Sequence, residues 1–435
     1  MKTFTATFTG VEQTIDVTLT GVNAQHQILA VTAQPSDGFG VIRPWLTNHF
    51  ATVVTVNVPE LWQGTVTLVV YNSAQGVVWP AGRSFRLATP ICTSSGVIPE
   101  VGGRIYAQPL YVPSDVTSVN VRIANRTNSA GVASFTSNIA LYTSDGTGQP
   151  TGSALAVFNG VTIPGDGTVL SVGPFPVTRG SDGKVVALWS VPQSTSLATM
   201  NNDQYGYYVT GTNNVSTNPG GWGVNSGATA CVHLELITSK RLLVMIGDSI
   251  SVGYSAGAGV GFEKTAGNLI AAHKDWALDV EGIVQIGSLG SFANFAGNPF
   301  FWDEEKWSSN PDLLINLGTN DIPGQSLSTM QANLATIISH FQSLSSGRIY
   351  ASTVPPQLAY ADAGNVRTGY NSWLLANYAG QGITAVRDRA AKQNVGGLAD
   401  NTTGTTLFAS YDTGDGTHIN IAGNAQEQTG WEAIL

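Results

Sequence analysis

The sequence is poor in charge: Asp, Glu, Lys and Arg make up 11% of its 435 residues, where an average soluble protein has roughly 25%. The formal charge of −9 argues against nucleic acid or an anionic membrane as a partner, because both select basic surfaces. No apolar run is long enough to span a membrane, so membrane insertion is not expected. Gly, Ser, Thr and Asn take the place of charged residues, as is common in β-rich extracellular or virion-surface proteins.

Cysteine is almost absent, with Cys92 and Cys231 the only two. Two cysteines are too few for a metal site made of cysteines or for a framework of several disulfides. The sequence leaves open whether these two form one disulfide. The first ten residues, MKTFTATFTG, contain no apolar segment followed by a cleavage site, so no secretory signal is expected in this chain. If the protein acts outside the cell, we expect either that a signal peptide was removed or that export follows another route, such as virion assembly and lysis.

Changes of pattern along the chain predict three domains, in keeping with its length. Residues 1–90 are β-branched and alternate in polarity, which predicts a small β domain. Residues 91–238 contain short strand patterns between Gly-rich turns, which predicts a β-sandwich or jelly roll. Its aromatic residues are candidates either for a carbohydrate-stacking platform or for ordinary core: Trp189, Tyr205, Tyr207, Tyr208 and Trp222.

From residue 239 to 435, strand patterns alternate with helical ones, which predicts βαβ units and a parallel sheet. Leu242–Ile246 is a continuous apolar run, typical of a strand buried on both faces. Apolar residues recur at helical spacing from Ser326 to Leu344. Tyr370–Lys392 is predicted to be largely helical, with interruptions at two glycines, and Leu407–Ser410 is predicted to be a last short strand.

Ser249 directly follows the first apolar strand of this region. Ligands bind at the carboxyl edge of open α/β sheets, and a serine there is a nucleophile when a base and an oxyanion hole converge on it. His418 is a candidate base: Asp415, three residues earlier across a glycine turn, can hold the imidazole by Nδ1 while Nε2 faces the serine. The other interpretation of the Ser249 turn and of Asp415 is simple turn chemistry.

Donors for an oxyanion are also found at predicted strand ends. The Asn320 side-chain amide and the Gly290 backbone N–H are candidates to join the Ser249 N–H around one negative charge. The alternatives are an Asx turn for Asn320 and a different backbone donor in place of Gly290. The carboxylates of Asp303–Glu305 lie without a histidine partner and are interpreted as surface charge, so no metal site is predicted.

Four sequence blocks resemble, in this order, those of the GDSL, or SGNH, hydrolase family. The blocks are Gly247-Asp248-Ser249-Ile250, Gly287-Ser288-Leu289-Gly290, Gly318-Thr319-Asn320-Asp321 and Asp415-Gly416-Thr417-His418. The resemblance covers roughly residues 240–435 and implies a three-layer α/β/α fold. One position departs from the family pattern, since Ile419 stands where the family usually has a proline; we expect this to loosen the loop without removing a catalytic atom.

The resemblance implies Ser249 as nucleophile, His418 as general base and then acid, and Asp415 as its partner. It implies Ser249, Gly290 and Asn320 as the oxyanion hole, with Gly287 as the alternative glycine. No metal and no organic cofactor is implied.

The implied reaction is ester hydrolysis through an acyl-serine, and the β modules ahead of the hydrolase region favour a polymeric substrate. The expectation is a carbohydrate O-acetylesterase acting on an acetylated polysaccharide. A phage tail protein fits the composition, and by analogy such a setting favours a homotrimer. Two alternatives stay open: a catalytically silent glycan-binding tail or adhesin, and a lipase or thioesterase. The lipase needs an apolar groove, for which the candidates are Phe292, Phe295, Phe300, Phe301 and Trp302.

Overall fold

The computed structural model describes residues 2–9, 14–18, 26–35, 45–47, 53–58, 63–72, 83–88, 94–97, 103–125, 132–165, 168–199, 206–224, 231–254, 264–282, 287–294, 309–357 and 362–435. The chain divides into two compact units, Met1–Pro80 and Ala81–Leu435. The first unit ends ahead of the predicted boundary at 90, because strand Arg83–Ala88 pairs with Cys231–Thr238 of the second unit. The predicted division between 238 and 239 stays a prediction.

The first unit is built from antiparallel strands. They are β1 (Lys2–Thr9), β2 (Thr14–Thr18), β3 (His26–Pro35), β4 (Trp45–Thr47), β5 (Val53–Asn57) and β6 (Gln63–Asn72). They form two three-stranded sheets, in the orders β1-β6-β3 and β2-β5-β4. Alternate residues along the strands are buried, among them Ala6 with Phe8 and Val66 with Leu68. This period of two is typical of a sheet covered on one face, and the all-β structure predicted for this region is confirmed.

The second unit begins with a further β region. Its strands are β7 (Arg83–Ala88), β8 (Ser94–Val97), β9 (Arg104–Tyr111), β10 (Ser118–Ala124), β11 (Phe135–Ser144), β12 (Pro150–Ile163), β13 (Leu170–Pro176), β14 (Lys184–Val191), β15 (Ser196–Thr199), β16 (Tyr207–Thr210), β17 (Gly223–Val224) and β18 (Cys231–Thr238). They form a four-stranded sheet β13-β10-β18-β7, a six-stranded sheet β12-β11-β14-β9-β16-β17 and a pair β15-β8. Val121 and Leu234 from the first sheet share a buried core with Ile139 and Val185 from the second.

Most of the described candidate aromatics of this region belong to its core. Trp189 is 2% exposed and stacks on Tyr106 with ring centroids 5.7 Å apart, and Tyr207 is also buried. Half-buried Trp222 donates its Nε1–H to the Asn218 side chain over 3.0 Å. Burial of these rings therefore favours the interpretation as core over a stacking platform. Tyr205 and Cys92 lie outside the described residues.

The predicted α/β/α region is confirmed over its described residues. Its elements are β19 (Leu242–Gly247), α1 (Ala266–Lys274), β20 (Ala277–Gly282), α2 (Leu289–Ala293), β21 (Asp312–Asn316), α3 (Leu327–Leu344), β22 (Ile349–Ser352), α4 (Val366–Asn377), β23 (Ala385–Arg387) and α5 (Ile421–Glu432). The strands form one parallel sheet in the order β20-β19-β21-β22-β23. Because β19 is covered on both faces, all its residues are buried, as its unbroken apolar run predicts.

Helices cover each face of this sheet. On one face, Met245 and Leu314 pack with Ile270 of α1 and Trp431 of α5. On the other face, side chains of β19 and β21 share a core with α2, α3 and α4, for example Leu334 and Leu374. The sheet therefore presents its carboxyl edge, where the predicted site residues lie, between two helical layers.

The prediction over Tyr370–Lys392 is wrong in its second half. Helix α4 ends at Asn377, a 3-10 turn covers Tyr378–Gln381, and Gly382 has a φ of +79°. The residues that follow form the edge strand β23, so the glycine ends the helix instead of interrupting it. The short strand predicted at Leu407–Ser410 is also absent: Leu407 makes only an isolated bridge to Ala399.

One carboxylate ties the β region of the second unit to the α/β region. Asp275, which ends α1 in a left-handed conformation, accepts hydrogen bonds from the Tyr111 hydroxyl and the Ser114 N–H, both over 2.8 Å. Lys240 Nζ lies 2.6 Å from its other oxygen. Partial burial opposes its ionisation, but these donors outweigh burial and hold the pKa of Asp275 well below its usual range.

Gly282 ends β20 where the chain after Ser249 packs closely against it. A Cβ at this position would lie 2.0 Å from Val252 Cγ1. We predict that Gly282→Ala lowers the free energy of unfolding by about 1–3 kcal/mol, because the added methyl group overlaps the Val252 side chain and forces it to move. Urea denaturation followed by tryptophan fluorescence measures this. The matched control is Gly380→Ala, whose Cβ would meet nothing within 4 Å; equal effects of the two substitutions would contradict the prediction.

Candidate active site

The serine lies in a tight turn at the carboxyl end of β19. The Ile250 N–H donates to Asp248 Oδ1 over 2.9 Å, and the Tyr254 N–H donates to the Ser249 carbonyl over 2.9 Å. Gly253 permits the turn with a φ of +78°. These bonds fold the chain back on itself, so Ser249 is presented from the sheet edge while it stays 96% buried, with 4% of its surface exposed.

The histidine is held by a second loop that begins at Asp415. One Asp415 oxygen, Oδ1, accepts the backbone N–H groups of Thr417 and His418 over 2.9 and 2.8 Å. The other, Oδ2, lies 2.6 Å from His418 Nδ1. The intervening Gly416 has a φ of +73°, which lets the chain return within three residues. The carboxylate therefore fixes both the loop and the orientation of the imidazole.

Ser249, His418 and Asp415 form one hydrogen-bonded chain. Ser249 Oγ lies 2.9 Å from His418 Nε2, although the two residues are 169 positions apart. With Asp415 on Nδ1, the neutral imidazole carries its proton there and offers the Nε2 lone pair to the serine. Partial burial opposes ionisation of Asp415, but its three hydrogen bonds from Thr417 and His418 together hold its pKa below the usual range. An ionised carboxylate beside the imidazole stabilises the positive charge that the imidazole gains when it accepts a proton.

Two further contacts hold these loops against each other. The Tyr254 ring packs on the His418 ring, with centroids 4.7 Å apart and planes tilted by 49°. Ile250 and Ile419 are each 2% exposed and belong to one apolar cluster with Leu398. Ile419, the residue that departs from the family pattern, is thus buried in the same cluster as the residue after Ser249. The expectation of a looser loop stays a prediction, and the burial of Ile419 is a contact that opposes it.

The Gly290 N–H, assigned to the oxyanion hole from the sequence, has another partner. It donates to Asp321 Oδ1 over 3.2 Å, and the Leu289 N–H donates to Asp321 Oδ2 over 2.8 Å. Asp321 therefore satisfies the first N–H groups of α2, as a carboxylate at a helix start does. The single N–H of Gly290 is engaged, which leaves the alternative glycine, Gly287, as the better candidate.

Gly287 and Asn320 are in direct contact. Asn320 Nδ2 donates to the Gly287 carbonyl over 2.8 Å, which uses one of its two N–H bonds. Within the described part of the chain, the buried Gly287 N–H makes no hydrogen bond. Burial raises the pKa of Asp321. The two N–H groups that donate to its carboxylate lower this pKa, and the nearby Asp248 raises it further. Asn320 and Asp321 together fix the loop from Gly287 to Gly290.

A buried polar network beneath the Ser249 turn was not predicted. Asn316 Nδ2 donates to Ser251 Oγ over 2.8 Å, and Ser352 Oγ donates to Asn316 Oδ1 over 2.8 Å. All three side chains are nearly inaccessible. The available signal was the polar residue that ends each of two strands, Asn316 and Ser352, at the edge that carries the candidate site.

The described residues include no group of three or more His, Cys, Asp or Glu side chains placed to hold a metal ion. None of their helices is long and apolar enough to cross a membrane. Phe292 is fully buried in the core and lines no groove. The remaining candidates for an acyl groove, and the carboxylates of Asp303–Glu305, lie outside the described residues.

We predict that Asp321→Asn lowers kcat for an ester substrate by about 10- to 100-fold, because an amide accepts only one of the two N–H bonds and displaces the Gly287 loop. Steady-state kinetics on p-nitrophenyl acetate measure this. The matched control is Asp362→Asn: Asp362 accepts the N–H groups of Arg367 and Thr368 at the start of α4, over 2.7 and 3.2 Å. An equal loss of kcat in the control would mean that general destabilisation is the cause.

No family model and no curated protein matches the chain. Among solved structures, the chain is similar to a lipolytic protein of the G-D-S-L family from Desulfitobacterium hafniense DCB-2, at 16% identity over 45% of this chain and 99% of that one, with a TM-score of 0.37. It is also similar to a family two carbohydrate esterase from Clostridium thermocellum, at 15% identity over 82% and 94% of the two chains, TM-score 0.36. Likenesses of this strength carry no argument about activity. In block order and in its parallel sheet between helices, the region of residues 240–435 resembles the GDSL, or SGNH, hydrolases.

Proposed function

We propose that this protein is a serine ester hydrolase with Ser249 as nucleophile. The observation that carries the proposal is the chain Asp415–His418–Ser249, with 2.6 Å from Asp415 Oδ2 to His418 Nδ1 and 2.9 Å from His418 Nε2 to Ser249 Oγ. A serine hydroxyl is a weak nucleophile until a base within hydrogen-bond reach can take its proton. His418 meets that geometric requirement, and Asp415 orients it.

The proposed reaction has two halves. Ser249 Oγ attacks the acyl carbon while its proton passes to His418 Nε2, and the collapsing tetrahedral intermediate releases the alcohol, which takes that proton from His418. Water then attacks the acyl-serine, giving its proton to His418, and the acid leaves as Ser249 recovers its proton. Throughout, the Asp415 carboxylate offsets the charge of the imidazolium.

The proposed oxyanion hole consists of the N–H groups of Ser249 and Gly287 and the second Nδ2–H of Asn320. The support is that Asn320 lies against Gly287, whereas the Gly290 N–H is bonded to Asp321. Donors that are fixed before the reaction cost no reorganisation when charge develops on the acyl oxygen.

As the substrate we propose an acetylated polysaccharide, which makes the protein a carbohydrate O-acetylesterase. The support is architectural: the β region of the second unit is fixed to the α/β region through Asp275, with hydrogen bonds of 2.8 Å from Tyr111 and Ser114. A large rigid attachment suits a polymer better than a small soluble ester. A phage tail setting and a homotrimer remain part of the proposal, and light scattering after size-exclusion chromatography tests the latter.

We predict that the wild type releases acetate from at least one member of an acetylated polysaccharide panel and cleaves p-nitrophenyl acetate. Ser249→Ala should lower kcat/KM by about 10⁴-fold or more, because the alanine cannot form the acyl intermediate. Ser343→Ala is the control, since within the described residues the Ser343 hydroxyl is on an exposed helix and donates to the His340 carbonyl of that helix. If p-nitrophenyl octanoate is cleaved far faster than any acetyl ester, the result favours a lipase. If the protein binds glycan but cleaves no ester, the result favours the adhesin.

A second prediction concerns the orienting acid. Asp415→Asn should lower kcat by about 10²–10³-fold, because an amide accepts the imidazole N–H less well and carries no charge to stabilise the imidazolium. The loss should be smaller than for a fully buried acid, since the Asp415 side chain is 43% exposed and solvent replaces part of its effect. An unchanged kcat would show that another group orients His418.

A further inference from the structure

Tyr254 contacts both partners of the proposed proton transfer. Its backbone N–H donates to the Ser249 carbonyl over 2.9 Å, which closes the turn that carries the serine. Its ring packs on the His418 imidazole, with ring centroids 4.7 Å apart and planes tilted by 49°. One residue therefore links the geometry of the serine turn to the orientation of the histidine, through its backbone on one side and its side chain on the other.

The Tyr254 ring is itself supported by the core of the α/β region. It is half-buried and packs against the apolar cluster that covers the sheet under α1 and α5. That cluster includes Val252, which is fully buried two residues earlier in the chain, and Ala266 at the start of α1. A closely packed interior yields little to a side chain that presses on it. The ring is thus in contact with a firm core as well as with the imidazole.

The two hydrogen bonds of the imidazole leave one of its movements weakly restrained. Nδ1 of His418 lies 2.6 Å from Asp415 Oδ2, Nε2 lies 2.9 Å from Ser249 Oγ, and both nitrogens form their bonds in the plane of the ring. Hydrogen bonds tolerate deviations of about 30° from a straight line, so the ring can tilt out of this plane before either bond breaks. A ring packed against the imidazole restrains that tilt, and Tyr254 supplies one.

Asp415 by itself is an incomplete support for the histidine. Its side chain is 43% exposed, whereas that of His418 is 15% exposed. A carboxylate open to water holds its partner less firmly than a buried one, because water competes for its oxygens and screens its charge. The contact with Tyr254 does not depend on charge, so it complements the support that the acid gives.

We propose that Tyr254 is a positioning residue for His418: its ring, supported by the core under α1 and α5, holds the imidazole in line with the Ser249 hydroxyl. The inference deepens the proposed function and rests on it for its effect on turnover. The ring and not the hydroxyl carries the effect, because the Tyr254 hydroxyl makes no hydrogen bond within the described residues. A tilted imidazole still allows the substrate to bind, so the loss falls on kcat and not on KM.

The first experiment compares Tyr254→Phe with Tyr254→Leu in the full chain, using steady-state kinetics on p-nitrophenyl acetate. Phenylalanine keeps the ring and should lose under about threefold in kcat, whereas leucine removes the ring contact and should lose about 10- to 30-fold, with KM unchanged. Should Tyr254→Leu fail to fold, Tyr254→Met replaces it with the same expected loss.

The matched control for this comparison is Phe158→Leu in the β region. It also removes a half-buried ring, whose centroid lies 4.8 Å from that of Phe175, and it should change kcat by under about twofold. Equal kcat values for Tyr254→Phe and Tyr254→Leu would overturn the proposal. It would also be overturned if Phe158→Leu lost as much as Tyr254→Leu, or if the loss in Tyr254→Leu fell on KM alone.

The second experiment needs no turnover and measures which nitrogen of His418 carries the proton, by proton–nitrogen NMR with isotope-labelled histidine. His418→Gln assigns the signals. In the wild type and in Tyr254→Phe we expect the tautomer protonated on Nδ1, because Asp415 accepts that proton. In Tyr254→Leu a mixture with the other tautomer should appear, since a tilted ring bonds Asp415 less well, while the remaining histidines stay unchanged.

The two experiments separate the inference from the proposed function. Unchanged His418 signals in Tyr254→Leu would overturn the role of Tyr254 even if the wild type cleaves esters and depends on Ser249. If the wild type cleaves no ester but Tyr254→Leu still mixes the tautomers, the proposed function fails and the positioning of the imidazole by Tyr254 stands.

Discussion

The hydrogen bond between Ser249 Oγ and His418 Nε2 is the constraint on which the rest of the α/β region depends. It joins two loops 169 positions apart, and a shift of about 1 Å between the loops would break it. Neither loop is held by the hydrogen bond itself. The serine turn is fixed by Asp248 and by close packing on Gly282, and the histidine loop is fixed by the Asp415 carboxylate. The bond therefore constrains the fold, because it can form only if both loops are rigidly supported.

Those supports have a shared chemistry, since acidic side chains hold backbone N–H groups at the edge of the sheet. Asp248 holds Ile250, Asp321 holds Leu289 and Gly290, and Asp415 holds its own loop. Two of them, Asp248 and Asp321, are buried, and burial raises the pKa of both. Backbone N–H groups that are buried in short loops need such acceptors. Burying a carboxylate is unfavourable, and this free-energy cost is offset by a nearby cation or by several hydrogen-bond donors. Asp321 has two N–H donors, whereas Asp248 has one.

The fold and most of the site were predictable because they depend on local patterns. The apolar run of β19, the helical stripe of α3 and the residues Ser249, His418 and Asp415 each carry a signal within a few neighbours in sequence. No such local signal distinguishes Gly290 from Gly287 as the candidate oxyanion donor. The distinction depends on which N–H groups donate to the Asp321 carboxylate, about 30 positions away. Strand β23 was missed because three residues are too short a window for a period of two to be seen.

Ile419 shows how a departure from a family pattern can be absorbed by packing. A proline stiffens a loop by fixing its own φ, which needs no neighbour. An isoleucine stiffens a loop only when its side chain is buried, and here it is 2% exposed in a cluster with Ile250 and Leu398. This burial brings the histidine loop into contact with the cluster that contains Ile250, the residue after Ser249. The Ser249 turn and the histidine loop are therefore joined by a shared apolar cluster as well as by the hydrogen bond between Ser249 and His418.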